Sequence, residues 1–270
     1  VIFCTSTGQS ITELFMAGFL PGILMGLGLM TVAYFISKKR GYSGDGRPFS
    51  FKRTLSAIWD GKWALISPVI ILGGIYGSIF TPTAAAVSVV YSFIVGVFIY
   101  KELRLRDIFG VIRSAGLTTG TVLVVLGCAA AFTKILTIGQ IPQQIAGAIT
   151  RLTDNKLIIL LLLNIVLLFV GCFMDTAPSI MILAPIFLPI VTSLGVEPIH
   201  FGIVMIVNLA IGFVTPPLGI NLFVASRIGE TKLDQVIQGI VPFLISMLVI
   251  LMLLTYIPSI SMLFPNLMMG

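Results

Sequence analysis

Two short stretches put polar chemistry inside otherwise apolar sequence. The first is Gly171-Cys172-Phe173-Met174-Asp175-Thr176-Ala177-Pro178-Ser179. Asp175 is an acid set deep in an apolar run, where a charge costs about 3 kcal/mol or more and so lines a pathway or pairs with another group. An alternative role is local: Asp175 as the cap of a second half-helix whose first turn holds Pro178. The two roles are compatible, because a half-helix aims its positive end into the same cavity.

The second stretch is Asn208-Leu209-Ala210-Ile211-Gly212-Phe213-Val214-Thr215-Pro216-Pro217-Leu218-Gly219-Ile220-Asn221. Adjacent prolines remove two amide donors and prevent a straight helix. Carbonyls near residues 212 to 215 then lose their helical partners and, away from water, must find others. In membrane transporters such unwound carbonyls hold a small cation such as Na⁺, while half-helix N-termini face anionic groups. A simple proline kink is the alternative for this stretch taken alone; two such breaks in one chain favour the transporter reading.

The remaining polar residues offer less. Cys4, Cys128 and Cys172 match no metal-ligand spacing and read as small buried hydrophobes. His200, the only histidine, starts an apolar run and forms no catalytic set. Lys134 is placed to snorkel to an interface, and Asn164 to make an inter-helix hydrogen bond. Gly22, Gly26 and Gly28, and Gly73, Gly74 and Gly77, predict close helix packing rather than phosphate binding.

Helices must position both breaks. The 270 residues are 57% hydrophobic and only 10% charged, with a mean hydropathy of +1.12. A soluble domain is about 25% charged. The apolar runs reach the roughly 20 residues a spanning helix needs and lack the alternation of a membrane barrel, so the expectation is an all-α polytopic membrane protein. Spans are expected at 14–37, 63–100 (broken at Thr81-Pro82-Thr83), 117–136, 157–194 (broken at 175–179), 201–226 (broken at Thr215-Pro216-Pro217) and 240–263. The segment 139–151 is less apolar and is placed along the membrane.

The net charge of +6 gathers in loops between apolar runs: Lys38, Lys39, Arg40, Arg47, Lys52, Arg53 and Lys62, then Lys101, Arg104, Arg106 and Arg113. This is the positive-inside pattern, and it makes the cations orientation signals rather than a nucleic-acid surface. If 157–194 enters and leaves on one side as a re-entrant hairpin, Arg227 and Lys232 join them. The exceptions are Lys134, Arg151 and Lys156, which leaves 13 of 16 basic residues on the cytoplasmic side. Two full crossings give the same parity. The start, Val1-Ile2-Phe3, has no signal-peptide pattern and reads as cut from something longer.

Several motifs together resemble the large membrane subunit of tripartite ATP-independent periplasmic (TRAP) transporters. They are Gly73-Gly74-Ile75-Tyr76-Gly77-Ser78-Ile79-Phe80-Thr81-Pro82-Thr83-Ala84-Ala85-Ala86-Val87, the Phe173-to-Pro185 segment, His200-Phe201-Gly202-Ile203-Val204, Gly212 through Phe223, and Val241-Pro242-Phe243-Leu244. Each motif alone is weak; together they cover essentially the whole chain. One departure is Ala84, where the family usually has Glu in the scaffold.

The resemblance implies an elevator-type transporter of the ion transporter superfamily, built from two inverted repeats that each hold a re-entrant hairpin and a broken helix. This chain would hold the second repeat and the tail of the first, with the first hairpin lying before Val1. Residues 1–115 would be the end of the first repeat with scaffold and arm helices. Residues 116–227 would be the mobile transport domain, and 228–270 a C-terminal scaffold helix. The implied function is Na⁺-coupled symport of small organic carboxylates (sialic acid, sugar acid or C4-dicarboxylate) across the bacterial inner membrane. The implied partners are a periplasmic substrate-binding protein, a small four-helix membrane subunit, the N-terminal remainder of the same subunit and the lipid bilayer.

The substrate would meet Asp175, Thr176, Ala177, Pro178, Ser179, Pro217 and Asn221. The Na⁺ coupling ion would meet Asp175, Thr176, Gly212, Thr215 and Pro216. Three rivals stand beside this reading. One is an elevator transporter of similar architecture that works without a binding protein. Another is an intramembrane hydrolase, which would need a second deep acid, a His–nucleophile pair or metal ligands. The third is a membrane scaffold, which does not call for paired breaks.

Overall fold

The computed structural model describes residues 1–42, 50–76, 87–101, 104, 106–140, 144, 155–217 and 219–269. The expected break at Thr81-Pro82-Thr83, Ala84 and most of 139–151 lie outside them. Among the described residues every regular element is a helix. In chain order they are α1 (Ile2–Thr7), α2 (Ile11–Arg40), α3 (Phe51–Asp60), α4 (Lys62–Tyr76), α5 (Val87–Ile94) with a π-turn (Val95–Ile99), α6 (Asp107–Ile138), α7 (Lys156–Phe173), α8 (Thr176–Ser193), α9 (Pro198–Gly212), α10 (Ile220–Ile228), α11 (Leu233–Tyr256) and α12 (Ser259–Met269). Four of these, α2, α7, α8 and α11, are long and apolar enough to cross a membrane. The described residues form helices alone among regular elements, and the chain has the makeup of a polytopic membrane protein.

Local signals set the ends. The Ser10 hydroxyl accepts the Glu13 N–H at 3.3 Å at the start of α2, a side-chain cap. Lys38, Lys39 and Arg40 fill the last turn, and Gly41 closes it in the left-handed region at φ 65°, matching the negative C-terminal end of the helix dipole and the usual glycine stop. Asn155 Oδ1 accepts the Leu157 N–H at 2.9 Å and opens α7. Pro198 takes the first position of α9, where its missing N–H costs nothing.

The described residues form two compact units, Tyr42–Val122 and Val1–Gly41 with Leu123–Gly270. In the first, α4 and the α5–π segment run antiparallel. The Tyr91 hydroxyl donates to the Trp63 carbonyl at 2.8 Å, and the Tyr100 hydroxyl to the Asp60 carbonyl at 3.5 Å. Lys62 and Lys101 therefore share one end of this hairpin, as the basic loops require.

In the second unit α7 and α8 form a hairpin. Its open ends are tied where Lys156 Nζ donates to the Gly195 carbonyl at 3.2 Å. Helix α9 follows parallel to α7. Their shared core includes Ile159, Leu163, Leu167, Met205 and Leu209. Helix α11 returns antiparallel, so Tyr256 near its end donates to the Leu157 carbonyl at 3.2 Å. Helix α2 runs antiparallel to α11, with Gly18 against Ile203 and Gly28 against Ser246 and Ile250. Its basic end thus lies with Arg227 and Lys232.

The structure corrects several expectations. The last span is not continuous over 240–263: α11 ends at Tyr256 and α12 begins at Ser259, because Pro258 disfavours helix at Ile257. The short helices α1 and α3 were not anticipated. Of the glycines expected to pack closely, Gly28 does so, whereas a Cβ on Gly22, Gly26 or Gly73 meets nothing within 4 Å. Cys4 and Cys172 are buried, but Cys128 is exposed.

Asn164 makes the expected inter-helix bond. Its Nδ2 donates to Thr255 Oγ1 on α11 at 2.9 Å, and its Oδ1 and backbone carbonyl accept from Asn208 Nδ2 on α9 at 2.7 and 3.1 Å. Thr255 Oγ1 donates onward to the Leu251 carbonyl at 2.8 Å. Inter-helix bonds of this kind contribute on average about 0.6 kcal/mol, up to about 1.7. Replacing Asn164 with Leu removes two of them and should lower stability by about 1–2 kcal/mol, read as a lower unfolding midpoint in detergent. An unchanged midpoint would show that the three-helix network adds nothing.

Candidate functional site

Both sequence breaks are real, and they lie together. Helix α7 ends at Phe173; Met174 is extended (φ −121°, ψ 147°) and its N–H donates to the Val170 carbonyl at 2.9 Å. Asp175 is also extended (φ −62°, ψ 150°) and holds the cap position of α8. Its carboxylate makes no cap bond and is exposed. The local work falls to its carbonyl, which accepts from the Ser179 N–H at 3.1 Å and the Ser179 hydroxyl at 2.8 Å. The break is therefore two residues, shorter than the expected 175–179. Thr176, Ala177 and Pro178 are half-buried at the start of α8, and Ser179 is buried.

The second break runs from Phe213 to Gly219, between α9 and α10. The Pro216–Pro217 peptide is cis, and Gly219 sits at φ 46°. Part of the backbone is satisfied within the break. The Ile211 carbonyl accepts the Val214 N–H at 3.1 Å and the Thr215 hydroxyl at 2.7 Å. The Gly212 carbonyl accepts the Thr215 N–H at 3.0 Å, and the Phe213 carbonyl accepts the Asn221 N–H at 3.2 Å. Among the described residues no donor reaches the carbonyls of Val214 and Thr215. Gly212 is buried, Thr215 and Pro216 are half-buried, and Pro217 and Asn221 are exposed.

The breaks meet where α7 crosses α9. A Cβ on Gly212 would lie 2.5 Å from the carbonyl carbon of Gly171, and one on Gly171 would lie 3.0 Å from the Leu209 carbonyl oxygen. Only residues without side chains let the two backbones approach this closely. Next to this crossing, Cys172 Sγ lies 4.0 Å from the Pro216 carbonyl oxygen.

Asn208, which opens the second stretch without a role predicted for it from sequence, adds a third polar element to the site. Asn208 is fully buried on α9, one turn before Gly212. Both protons of its amide nitrogen point to Asn164, and among the described residues its Oδ1 has no hydrogen-bond partner. A buried acceptor left open costs about 1–3 kcal/mol and calls for a water or an ion. The available signal was an amide inside an apolar run, the same signal that singled out Asn164. Among the described residues no cluster of three His, Cys, Asp or Glu forms a metal site. The oxygens at hand are carbonyl, hydroxyl and amide ones, with the Asp175 carboxylate.

Helices broken side by side inside an apolar bundle define a membrane protein of the transporter class. The comparisons agree and are more specific. The family model described as tripartite ATP-independent periplasmic transporter, DctM component, matches residues 1–260, and this chain belongs to that family. The isethionate TRAP transporter permease protein DctMQ of Oleidesulfovibrio alaskensis is 47% identical over 265 residues, 98% of this chain and 42% of that protein. The C4-dicarboxylate TRAP transporter large permease protein DctM of Pseudomonas aeruginosa is 43% identical over 267 residues, 98% of this chain and 62% of that protein. The sialic acid TRAP transporter large permease protein SiaM of Vibrio cholerae is 36% identical over 271 residues, covering 100% of this chain and 63% of that protein. The chain thus spans from 42% to 63% of the length of these relatives.

The glycine crossing gives a direct test. Gly212→Ala forces Gly171 away and should cost about 1–3 kcal/mol or more, as overpacking does. Gly22→Ala, whose Cβ meets nothing, should stay within about 0.5 kcal/mol of the parent. Thermal unfolding of both variants in one detergent checks the contrast; equal midpoints would mean that the two helices are not locked together.

Proposed function

We propose that this chain supplies one half of the cation and substrate site of a Na⁺-coupled permease for small organic anions. The observation that carries the reading is the meeting of the two breaks at Gly171 and Gly212. Close to it, among the described residues, no donor reaches the carbonyls of Val214 and Thr215, and α8 begins five residues after Gly171; broken helices of this kind take a cation and an anion together. The donors fit the ion: Na⁺ is a hard cation, and the oxygens of Thr215, Pro216, Gly212 and Thr176, with the Asp175 carboxylate, are hard ligands. When bound, the ion supplies positive charge next to the substrate anion and couples its movement to the sodium gradient.

Asp175, Thr176, Ala177, Pro178 and Ser179 form one wall toward the substrate. Amides of the first turn of α8 are free to donate to a carboxylate, and Pro178 leaves that turn one donor short. Pro217 and Asn221 face it from the other break. Pro216 and Pro217 keep α9 and α10 from fusing into one helix.

Relatives named for isethionate, C4-dicarboxylates and sialic acid share one chemical feature, a small anion. We extend that class to this chain, with carboxylates first and sulfonates in the test panel. The working cycle is of the elevator type. Residues 116–227 would move, residues 1–115 and 228–270 would stay, and the hairpin of α7 and α8 would be re-entrant. Substrate would come from a periplasmic binding protein, a small membrane subunit would complete the assembly, and the bacterial inner membrane would house it.

The test is uptake by the complete permease in vesicles, with and without its binding protein. Uptake should require an inward Na⁺ gradient. Asp175→Ala and Thr215→Val should each reduce it by about tenfold or more, the effect of losing one hydrogen bond or ligand to a charged group, with insertion unchanged. Uptake that is indifferent to replacing Na⁺ with K⁺ removes the coupling; full uptake by both variants removes these residues from the site. Full uptake without a binding protein would favour the binding-protein-independent rival.

A further inference from the structure

Helix α3 divides cleanly into two faces. Phe51, Leu55, Ile58 and Trp59 recur at intervals of four, three and one, which sets them on one side. Lys52, Arg53, Ser56 and Asp60 occupy the other. All ten residues are exposed, with Phe51 at 73% and Trp59 at 67%. Among the described residues neither Lys52 nor Arg53 is in a salt bridge or hydrogen bond through its side chain.

Gly61 alone separates α3 from α4, which is apolar on every side after Lys62. A helix that is apolar all round belongs in the hydrocarbon, and one that is two-faced belongs at its surface. Both tryptophans of the chain stand at this joint. Lys62 Nζ lies 4.0 Å from the centre of the Trp59 ring and 5.5 Å from that of Trp63. Tyr91 and Tyr100 bond the backbone at Trp63 and Asp60, and Lys101 follows Tyr100 directly. Aromatic rings with cations among them are the signature of the headgroup layer.

We infer that α3 lies in the plane of the membrane interface and, with Lys52, Arg53 and Lys62, forms a binding surface for anionic phospholipid headgroups. The apolar face supplies burial, which any phospholipid satisfies. Charge supplies the preference: each Lys or Arg near an anionic surface favours it by a factor of about five.

Both tryptophans lie in this element, so fluorescence can read it directly. The full permease is reconstituted with Trp59 as its only tryptophan, all others being Phe. The vesicles hold phosphatidylcholine with a minor share of phosphatidylglycerol, and either lipid carries bromine near the top of its acyl chains. Brominated phosphatidylglycerol should quench Trp59 as though enriched about fivefold or more over its share of the bilayer. Lys52→Gln, Arg53→Gln and Lys62→Gln together should bring that enrichment close to one while brominated phosphatidylcholine still quenches. Enrichment of one in the parent protein overturns the headgroup preference. No quenching by either lipid overturns the interfacial placement and means that protein covers the apolar face.

Discussion

The backbone contact of Gly171 with Gly212 sets how near the two helix breaks can come. A peptide group inside a bilayer has no water to turn to, and each group left alone costs several kcal/mol. A break at depth is therefore tolerable only where neighbours or a bound ion complete it. Here the break completes most of itself through the bonds to the Ile211, Gly212 and Phe213 carbonyls. What remains open among the described residues, Val214 and Thr215 on the backbone and Asn208 Oδ1 on a side chain, lies close in sequence to the crossing at Gly212. Any residue larger than glycine at position 212 would move the hairpin tip away from these groups.

Helix lengths place the crossing at depth. Helix α9 has 15 residues and α7 has 18, about 22 Å and 27 Å at 1.5 Å per residue. Both start at the end marked by Lys156, Gly195 and Tyr256, and both finish at the crossing. Helix α10 adds 9 residues, about 13 Å more, toward the basic end at Arg227. The crossing thus lies about 22–27 Å along α9 and α7 from their shared starting end.

Much of this was legible because the causes are local. Adjacent prolines at 216 and 217 end a helix in any setting, and an acid between two apolar runs marks the Asp175 turn. Basic clusters ordered the ends of the helices, and the contacts of Tyr100 and Lys156 agree with that ordering within each unit. What escaped depends on tertiary partners. Asn208 gains meaning only when α9 lies beside Asn164. Gly171 and Gly212 belong to the two polar stretches, Gly212 as a carbonyl ligand, but their close approach appears only once α7 and α9 cross. Helix α3 was hidden by its balance of charged and apolar residues, since a hydropathy average over ten residues cancels the two faces that a helical wheel separates. The division of the site into cation and substrate ligands came from family resemblance, because residue types alone do not separate two ligands of opposite charge in one pocket.

The elevator reading places a demand on the polar contacts that join α7 and α9 to the C-terminal helices. If 116–227 moves past 228–270, the Asn164–Thr255 and Tyr256–Leu157 bonds must break, as must the 2.6 Å contact between His200 Nδ1 and Ser261 Oγ. The hydroxyls of the C-terminal segment keep partners, whereas Asn164 Nδ2 and His200 Nδ1 must find new ones. Thr255 Oγ1 keeps its bond to the Leu251 carbonyl and Ser261 Oγ its bond to the Pro258 carbonyl, both within the C-terminal segment. Asn208 and Asn164 keep each other within the moving one. Each body thus retains hydrogen bonds of its own. The bonds that must break between the bodies are single ones, worth about 0.6 kcal/mol on average. Bonds that weak can favour one position of the bundle without preventing the other.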